Sequence, residues 1–443
     1  MQYLPNILFV AALVAGIGFF IRNVKKLARN IKLGKKAVIT DNTSMRWKNM
    51  LRIALGQTKM VVRPIPGLLH IIVYLGFIII NIEVLEIIID GVLGTHRIFS
   101  SLGRIYDFLI ATFEILALLV IIAVVIFWVR RNLIRLRRFI KPEMTGWPKT
   151  DANWILYIEL ILMVLFLTMN GADYQLQHLD AAHYTKAGAF PISQFFTTFF
   201  DGMSMSSLIL IERSAWWLHI LGILFFLNYL YYSKHLHILL AFPNTYFGKL
   251  GPKGKFNNLE SVTNEVRLMM DPSADPYANS SEVETGEEVP KFGASDVMDL
   301  TRIQLLNAYT CTECGRCTNE CPANQTGKKL SPRKIMMDTR DRLEEVGKNL
   351  DANKGIFEND GKQLLDDYIT REELWACTSC NACVEACPVS IDPLSIIMDM
   401  RQYLVMEQSA APSELNNMMG NIENNGAPWP FNQMDRLNWA KED

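Results

Sequence analysis

Cys311-Thr312-Glu313-Cys314-Gly315-Arg316-Cys317-Thr318-Asn319-Glu320-Cys321-Pro322 is followed by a second stretch of the same design, Cys377-Thr378-Ser379-Cys380-Asn381-Ala382-Cys383-Val384-Glu385-Ala386-Cys387-Pro388. These two runs hold all eight cysteines of the chain. Thiolates suit iron–sulfur chemistry, and two-residue spacers let one backbone turn aim three sulfurs at three irons of one [4Fe–4S] cube. Where two such runs occur together, the fourth cysteine, followed by proline, ligates the other cluster. The expected ligand sets are therefore Cys311, Cys314, Cys317 and Cys387 for one cluster, and Cys377, Cys380, Cys383 and Cys321 for the second.

Zinc and disulfides fit this pattern poorly. Zinc ribbons draw their cysteine pairs from knuckles well apart in sequence, not from Cys-x2-Cys-x2-Cys. Disulfides need an oxidising compartment, whereas the topology read below places these cysteines on the cytoplasmic side.

Outward from the cysteines toward the N-terminus, the composition changes character. Five segments are long and apolar enough to cross a bilayer, near Leu4–Ile21, Gly67–Val92, Tyr106–Val129, Trp154–Met169 and Ala215–Tyr232. The fourth is short and carries Glu159. Lys and Arg set the orientation. Arg22, Lys25, Lys26, Arg29, Lys32, Lys35 and Lys36 follow the first span, and Arg130, Arg131, Arg135, Arg137 and Arg138 follow the third. Both stretches read as cytoplasmic. The loops Thr95–Ile105 and Gly171–Arg213 hold few positive charges, so they and the N-terminus face outward and everything after Tyr232 lies inside. The N-terminus has neither a basic n-region nor a small-residue cleavage site before its charges, and reads as a retained anchor. The expected location is a bacterial or archaeal cytoplasmic membrane, with lipid around the spans.

From about His237 to Gly293 the chain is polar, with an acidic run at Ser281–Glu288, and reads as a linker. Basic membrane-flanking loops and an acidic soluble part cancel to a net charge of −1, which says little about partners, and no nucleic acid is expected among them. Past the linker, Ser331-Pro332 opens a helix as N-cap and first helical residue, and Lys334–Leu350, Gly361–Ala376 and Pro393–Met406 have helical spacing. The fold class expected is all-α, a five-helix transmembrane bundle followed by an α-helical dicluster ferredoxin domain. Its boundaries read as 1–237 for the bundle, 238–293 for the linker, 294–410 for the cluster domain and 411–443 for a partner-docking tail.

Histidine in a lipid-spanning helix is uncommon, and beside clusters its natural use is axial ligation of haem. His70 lies about one turn into the second span at its cytoplasmic end, and His237 just past the fifth, so the two sit at similar depth. His219 stands eighteen residues before His237, about 27 Å along a continuous helix, and is expected near the outer face. Its nearest candidate partner is His96, with His178 and His183 competing, while His235, His178 and His183 read as interfacial side chains. Glu83, Glu86 and Asp90 share one face of the second span's outer half, where carboxylates can mark the proton path that quinone chemistry needs.

His70 on the second span and Ser233-Lys234-His235-Leu236-His237 closing the fifth resemble the cytochrome b (gamma) subunit of respiratory nitrate reductase and the membrane subunit of heterodisulfide reductases. The stretch from Phe292-Gly293 through the cysteines is similar to the iron–sulfur subunit of heterodisulfide reductase and related quinone-linked iron–sulfur oxidoreductases. The resemblance implies that His70 and His237 ligate a haem b near the clusters and that His219 ligates an outer haem. Where the gamma pattern has a second histidine about ten residues along the second span, this chain has Ile80, so an outer haem would need an unusual partner such as His96. Gly426-Ala427-Pro428-Trp429 with Arg436 and Trp439 looks like the segment leading into cysteine-rich CCG domains in fused relatives, which implies that a separate CCG-containing protein docks there.

The reading that results is a membrane-bound electron-transfer subunit. It would pass electrons between a cytoplasmic partner (a CCG-domain subunit or flavoprotein donor), two [4Fe–4S] clusters, haem b, and menaquinone or another quinone. A haem-free anchor carrying a dicluster module for a larger assembly is the alternative. A thiol–disulfide reductase would need further active cysteines, and the lack of a nucleotide-binding glycine motif argues against direct reaction with nicotinamide cofactors.

Overall fold

The computed structural model describes residues 3–271 and 291–441, apart from 38, 40, 41, 253 and 257; the acidic run Ser281–Glu288 lies outside them. Helices dominate: the described residues form no β-strand, only isolated bridges such as Lys35 with Thr301.

The chain runs through α1 (Leu4–Lys32), α2 (Thr43–Met50), α3 (Pro64–Leu93), α4 (Arg104–Asn132), α5 (Trp147–His178) and α6 (Met205–Tyr229). Of these, α1, α3, α4, α5 and α6 are long and apolar enough to cross a membrane. All five expected spans thus appear as helices, most of them longer than their apolar cores, because solvent-facing turns extend past the hydrocarbon-sized stretch. Neighbour contacts close the five into a ring in the order α1, α3, α4, α5, α6 and back to α1. Gly91 allows one tight approach: a Cβ there would stand 2.6 Å from the Phe9 ring on α1.

Two sequence expectations change after α6. The helix ends at Tyr229 and the chain turns through Leu230–Tyr232 and Lys234–Leu236 before α7 (His237–Tyr246), so His219 and His237 do not share a continuous helix. The start of the expected linker is itself ordered: α7 packs on α2, with Asn49 Nδ2 donating to Thr245 O at 2.7 Å, and α8 (Glu260–Met270) follows.

The cysteine-bearing unit contains α9 (Arg302–Thr310), α10 (Arg316–Glu320), α11 (Pro322–Gln325), α12 (Pro332–Ala352), α13 (Leu364–Asp367), α14 (Arg371–Trp375), α15 (Ala382–Ala386), α16 (Pro393–Met406) and α17 (Ser413–Asn425). Ser331 caps α12 by accepting from Lys334 N, with Pro332 in the first turn, as its sequence predicts. The single helix expected over Gly361–Ala376 is two short pieces instead. Asp366 stands at φ 72°, and Leu365 N is drawn off to Ser295 O at 3.0 Å, so a tertiary bond breaks a stretch with good helical spacing.

The cysteine unit is fused to one end of the bundle by a shared core that includes Leu27, Ile155, Leu162 and Phe226 together with Leu305, Met336 and Ile397. Polar contacts come from segments at that same end. Lys26 pairs with Asp351 at 2.6 Å, Arg63 with Glu320 at 2.5 Å, Lys141 donates to Asn324 at 3.1 Å, and Arg333 reaches Glu143 at 2.7 Å. Gly347 lets α12 lie against α1, where any side chain would meet Asn30. The basic stretches after the first and third spans therefore sit on the cysteine side.

Candidate functional site

Each cysteine run is built alike: a helix leads in, a residue with positive φ (Glu313 and Gly315, then Ser379 and Asn381) bends the chain, a one-turn helix carries the third cysteine, and proline follows the fourth. α10 and α15 pack together, bringing the runs face to face. None of the eight cysteines is in a disulfide.

The sulfurs fall into two neighbouring groups. Burial pushes the Cys317 thiol far above its usual pKa, and the nearby sulfurs of Cys314, Cys311, Cys387 and Cys383 push it further. Burial and then Cys314 take Cys387 up to about 11. In the second group, burial and then Cys377 raise Cys383, with Cys321 adding to it, while Cys377 is raised by burial and feels Cys321 and Cys380. Cys387 thus lies near the first run and Cys321 near Cys377 and Cys383 of the second, with Cys383 also beside the first group. Such a thiol set stays protonated by itself and needs bound positive charge to become thiolate.

Among the described residues, no three His, Cys, Asp or Glu side chains converge closely enough for a single metal ion. Four thiolates about 2.3 Å from one zinc would lie less than about 4 Å apart. Wider spacing suits a polynuclear group. The donor chemistry and the two-group arrangement fit two four-iron clusters. Ser379 N points at Cys377 Sγ at 3.4 Å, and Arg401 donates to Cys377 O at 2.5 Å. Arg316, in the first run, donates to Lys59 O and Met60 O just before α3, and the fully buried Arg333 donates to Arg138 O at 2.7 Å. Arg316 near Cys314 and Cys387, and Arg401 near Cys377, place positive charge beside sulfurs that would become anionic on ligation.

At the same end, the ring centres of His70 and His237 are 6.4 Å apart. Two imidazoles that share one metal at about 2 Å on opposite sides place their ring centres roughly 6 Å apart, so the spacing of this pair is compatible with both holding the iron of a haem. His237 Nδ1–H donates to Lys234 O at 3.2 Å, an orientation that leaves Nε2 for a metal, and His70 Nδ1 is buried with no hydrogen-bond partner. Burial holds His237 below the usual imidazole range, which favours the neutral ligand form. His235, which reads as interfacial in sequence, is drawn inside: its ring is 5.4 Å from that of His237 and its Nε2 lies 3.5 Å from Glu159 Oε1.

Lys234 joins the two candidate cofactor sites. Its carbonyl accepts from His237, while its ammonium pairs with Glu313, between Cys311 and Cys314. Burial disfavours a charged Glu313, but Lys234 and Arg340, the latter at 2.9 Å, hold its carboxyl below the usual range. In the sequence Lys234 and Glu313 stand out only as parts of motifs, and nothing local predicts that residues 79 apart meet.

His219 and His96 are not brought together. His219 is buried, its Nδ1 bonded to Leu162 O at 3.0 Å, level with the middle of α5 and not near the outer face. The reason is the early end of α6. His96 lies 3.4 Å from Asp173, eleven residues further along α5, or about 16 Å. Ile80 is buried in the same apolar cluster as Trp216 and Ile220. His178 packs edge-on against Tyr174.

Glu83, Glu86 and Asp90 do share a face at the opposite end of the bundle. Glu86 accepts from Tyr106 Oη at 2.9 Å and Asp90 from Arg97 N at 2.7 Å. Arg97 also binds Asp173 at 2.5 Å and Asn170 at 2.9 Å. An acid inside an apolar helix, such as Asp173, was a signal available in the sequence; Arg97, in a short loop, was not.

A family model described as a 4Fe-4S dicluster domain matches residues 310–391. The chain is 29% identical to a probable iron-sulfur-binding oxidoreductase, FadF, of Bacillus subtilis (strain 168), over 98% of this chain and 61% of that protein. It is 25% identical to the EtfAB:quinone oxidoreductase of Syntrophomonas wolfei, over 91% of this chain and 55% of the relative. It is 28% identical to one subunit of the dihydromethanophenazine:CoB–CoM heterodisulfide reductase of Methanosarcina mazei, over 34% of this chain and 37% of that one. The chain thus spans little more than half the length of the first two. No solved structure matches it. What fold and comparisons define is a class: a helical chain with five candidate membrane helices and a 4Fe-4S dicluster domain, similar to iron–sulfur oxidoreductases that include a quinone oxidoreductase.

Proposed function

We propose that the chain is the membrane-bound electron-transfer part of a quinone-linked oxidoreductase, with residues 1–237 a cytochrome b-like bundle resembling the nitrate reductase gamma subunit, 238–293 a linker, 294–410 the dicluster domain and 411–443 a docking tail. When bound, two [4Fe–4S] clusters and a haem b supply one-electron carriers between the cytoplasmic side and the membrane. Cys311, Cys314, Cys317 and Cys387 hold one cluster, and Cys377, Cys380, Cys383 and Cys321 the other. His70 and His237 hold the haem, oriented by the Lys234 carbonyl. The observation that carries this reading is the Lys234 link, which fixes the first cysteine loop against the histidine pair.

The cysteine unit and the Lys- and Arg-rich loops occupy the same end of the bundle, which supports a cytoplasmic placement with the N-terminus outside. The partner is a flavoprotein donor or a CCG-domain subunit; the Syntrophomonas relative's name pairs EtfAB with quinone. Trp429, Phe431, Leu437 and Trp439 are exposed in the tail where that partner would dock.

Addition of a reduced menaquinone analogue, under anaerobic conditions, to the purified, detergent-solubilised chain tests the reading. A sharp haem b α-band should grow in and be missing in His70→Ala. Absence of any b-type haem even with dithionite would rule haem out as a carrier.

A further inference from the structure

The opposite end of the bundle holds a half-open cavity of about 350 Å³ beside the first turns of α1. One wall is aromatic: Phe9, Trp216 and Trp217 pack with ring centres 5.3–6.0 Å apart. The other wall is polar and comes from α3, α5 and the loop after α3, with Glu83, His96, Arg97 and Asp173.

Most of the polar groups are committed. Arg97 is fixed by Asp173, Tyr106 and Asn170, and Glu212 is bound by Arg213 and Tyr184. Three buried atoms on the lining are not: Glu83 Oε2, His96 Nδ1 and Asp173 Oδ1 make no hydrogen bond. His96 approaches Asp173 Oδ1 through Nε2 at 3.4 Å, longer than a good hydrogen bond, and that contact leaves Nδ1 untouched. Glu83 is only 3% exposed. A buried polar atom left without a partner forfeits its hydration for nothing, so three facing one cavity point to a ligand that completes them.

A flat ring with polar oxygens on opposite edges matches both walls. A carboxyl such as Glu83 can donate to a quinone carbonyl when protonated and accept from a quinol hydroxyl when ionised, so it serves both redox forms. We propose that this cavity binds the head group of a membrane quinone, its ring against Trp216 and Trp217 and one oxygen at Glu83, with His96 and Asp173 at the other. The inference rests on the quinone-linked role proposed above. It places quinone binding at the far end of the bundle from the cysteines.

The test uses the full-length purified chain in detergent and an azido-substituted 1,4-naphthoquinone. Saturable quenching of tryptophan fluorescence is expected in the dark. Irradiation should label peptides containing residues 83–97 or 212–217, competed by unlabelled menadione. Glu83→Gln should weaken binding about tenfold. Because that variant also changes a packed site, label mapping on the unmodified chain stands independently. Competed label confined to the surroundings of His70, Glu159 and His235 would overturn the cavity assignment while leaving the quinone-linked function in place. Absence of saturable binding or competed label anywhere would overturn both.

Discussion

The two ends of the bundle both bury carboxylates against cations, but they differ in what is left beside those pairs. On the cysteine side, buried carboxylates meet cations: Glu313 pairs with Lys234 and Arg340, Glu143 with Arg333, and Asp296 with Arg342. The buried atoms left without a partner there include His70 Nδ1 and Arg333 Nε, together with the amide oxygens of Asn244 and Gln402. At the far end Arg97 meets Asp173 and Arg213 meets Glu212, and the atoms left over are Glu83 Oε2, Asp173 Oδ1 and His96 Nδ1. The cysteine side suits groups that become anionic when ligated, and the far end offers free carboxylate oxygens and an imidazole nitrogen to a neutral polar ligand. The comparison teaches that two sites of different chemistry share one helical ring, with His219 buried between them.

The sharpest way to break the cysteine side of this contrast is to remove one sulfur. Cys387→Ser should cut iron from about eight to about four atoms per chain and abolish the same electron paramagnetic resonance signal as Cys311→Ser, while Cys321→Ser groups with Cys377→Ser. Grouping of Cys387 with Cys377 would undo the crossed assignment. Next in size, His237→Ala should lose the haem b band, whereas His235→Ala keeps it, because only His237 is oriented by a backbone carbonyl. Loss of the band in His235→Ala alone would move the ligand.

A smaller effect concerns the clamp between the halves. Lys234→Met leaves Glu313 without one of its two cations in a buried site and should lower unfolding stability by roughly 3 kcal/mol. A following Glu313→Gln should recover part of that loss, as a double-mutant cycle in denaturant would show. Smallest is a pH effect. Burial raises Asp399, whose Oδ2 accepts from Gln304 at 2.6 Å, to about 6 from an ordinary 3.8. A raised folded-state pKa stabilises the protonated fold, so this contribution is complete below about pH 4 and fades as pH rises through 6. Asp399→Asn should flatten the pH dependence of thermal unfolding in that window and gain no more than about 3 kcal/mol at pH 7.

How much of this was legible in sequence follows from the range of the interactions. Periodic signals read well: the five apolar segments are helices, Ser331 caps α12, and Pro393–Met406 matches α16 as predicted. Cysteine spacing located the dicluster region, which the family match covers at 310–391. Tertiary bonds did not read. The break at Asp366, the turn after Tyr229 that leaves His219 at mid-bundle, and the approach of Lys234 to Glu313 are each set by partners distant in sequence. His235 shows the limit most clearly. It stands two residues from His237 and would ordinarily belong to the interface, yet the turn swings it against Phe226 and Glu159.

The central claim, that cysteine-bound clusters and a membrane haem form one path to quinone, is tested most directly by stopped-flow spectroscopy. The chain, reduced by dithionite and freed of excess reductant, is mixed anaerobically with menadione. The broad iron–sulfur absorbance and the haem b α-band should both reoxidise, and in His237→Ala the clusters should stay reduced on that timescale. Clusters that reoxidise equally fast without the haem ligand would contradict a path through the bundle.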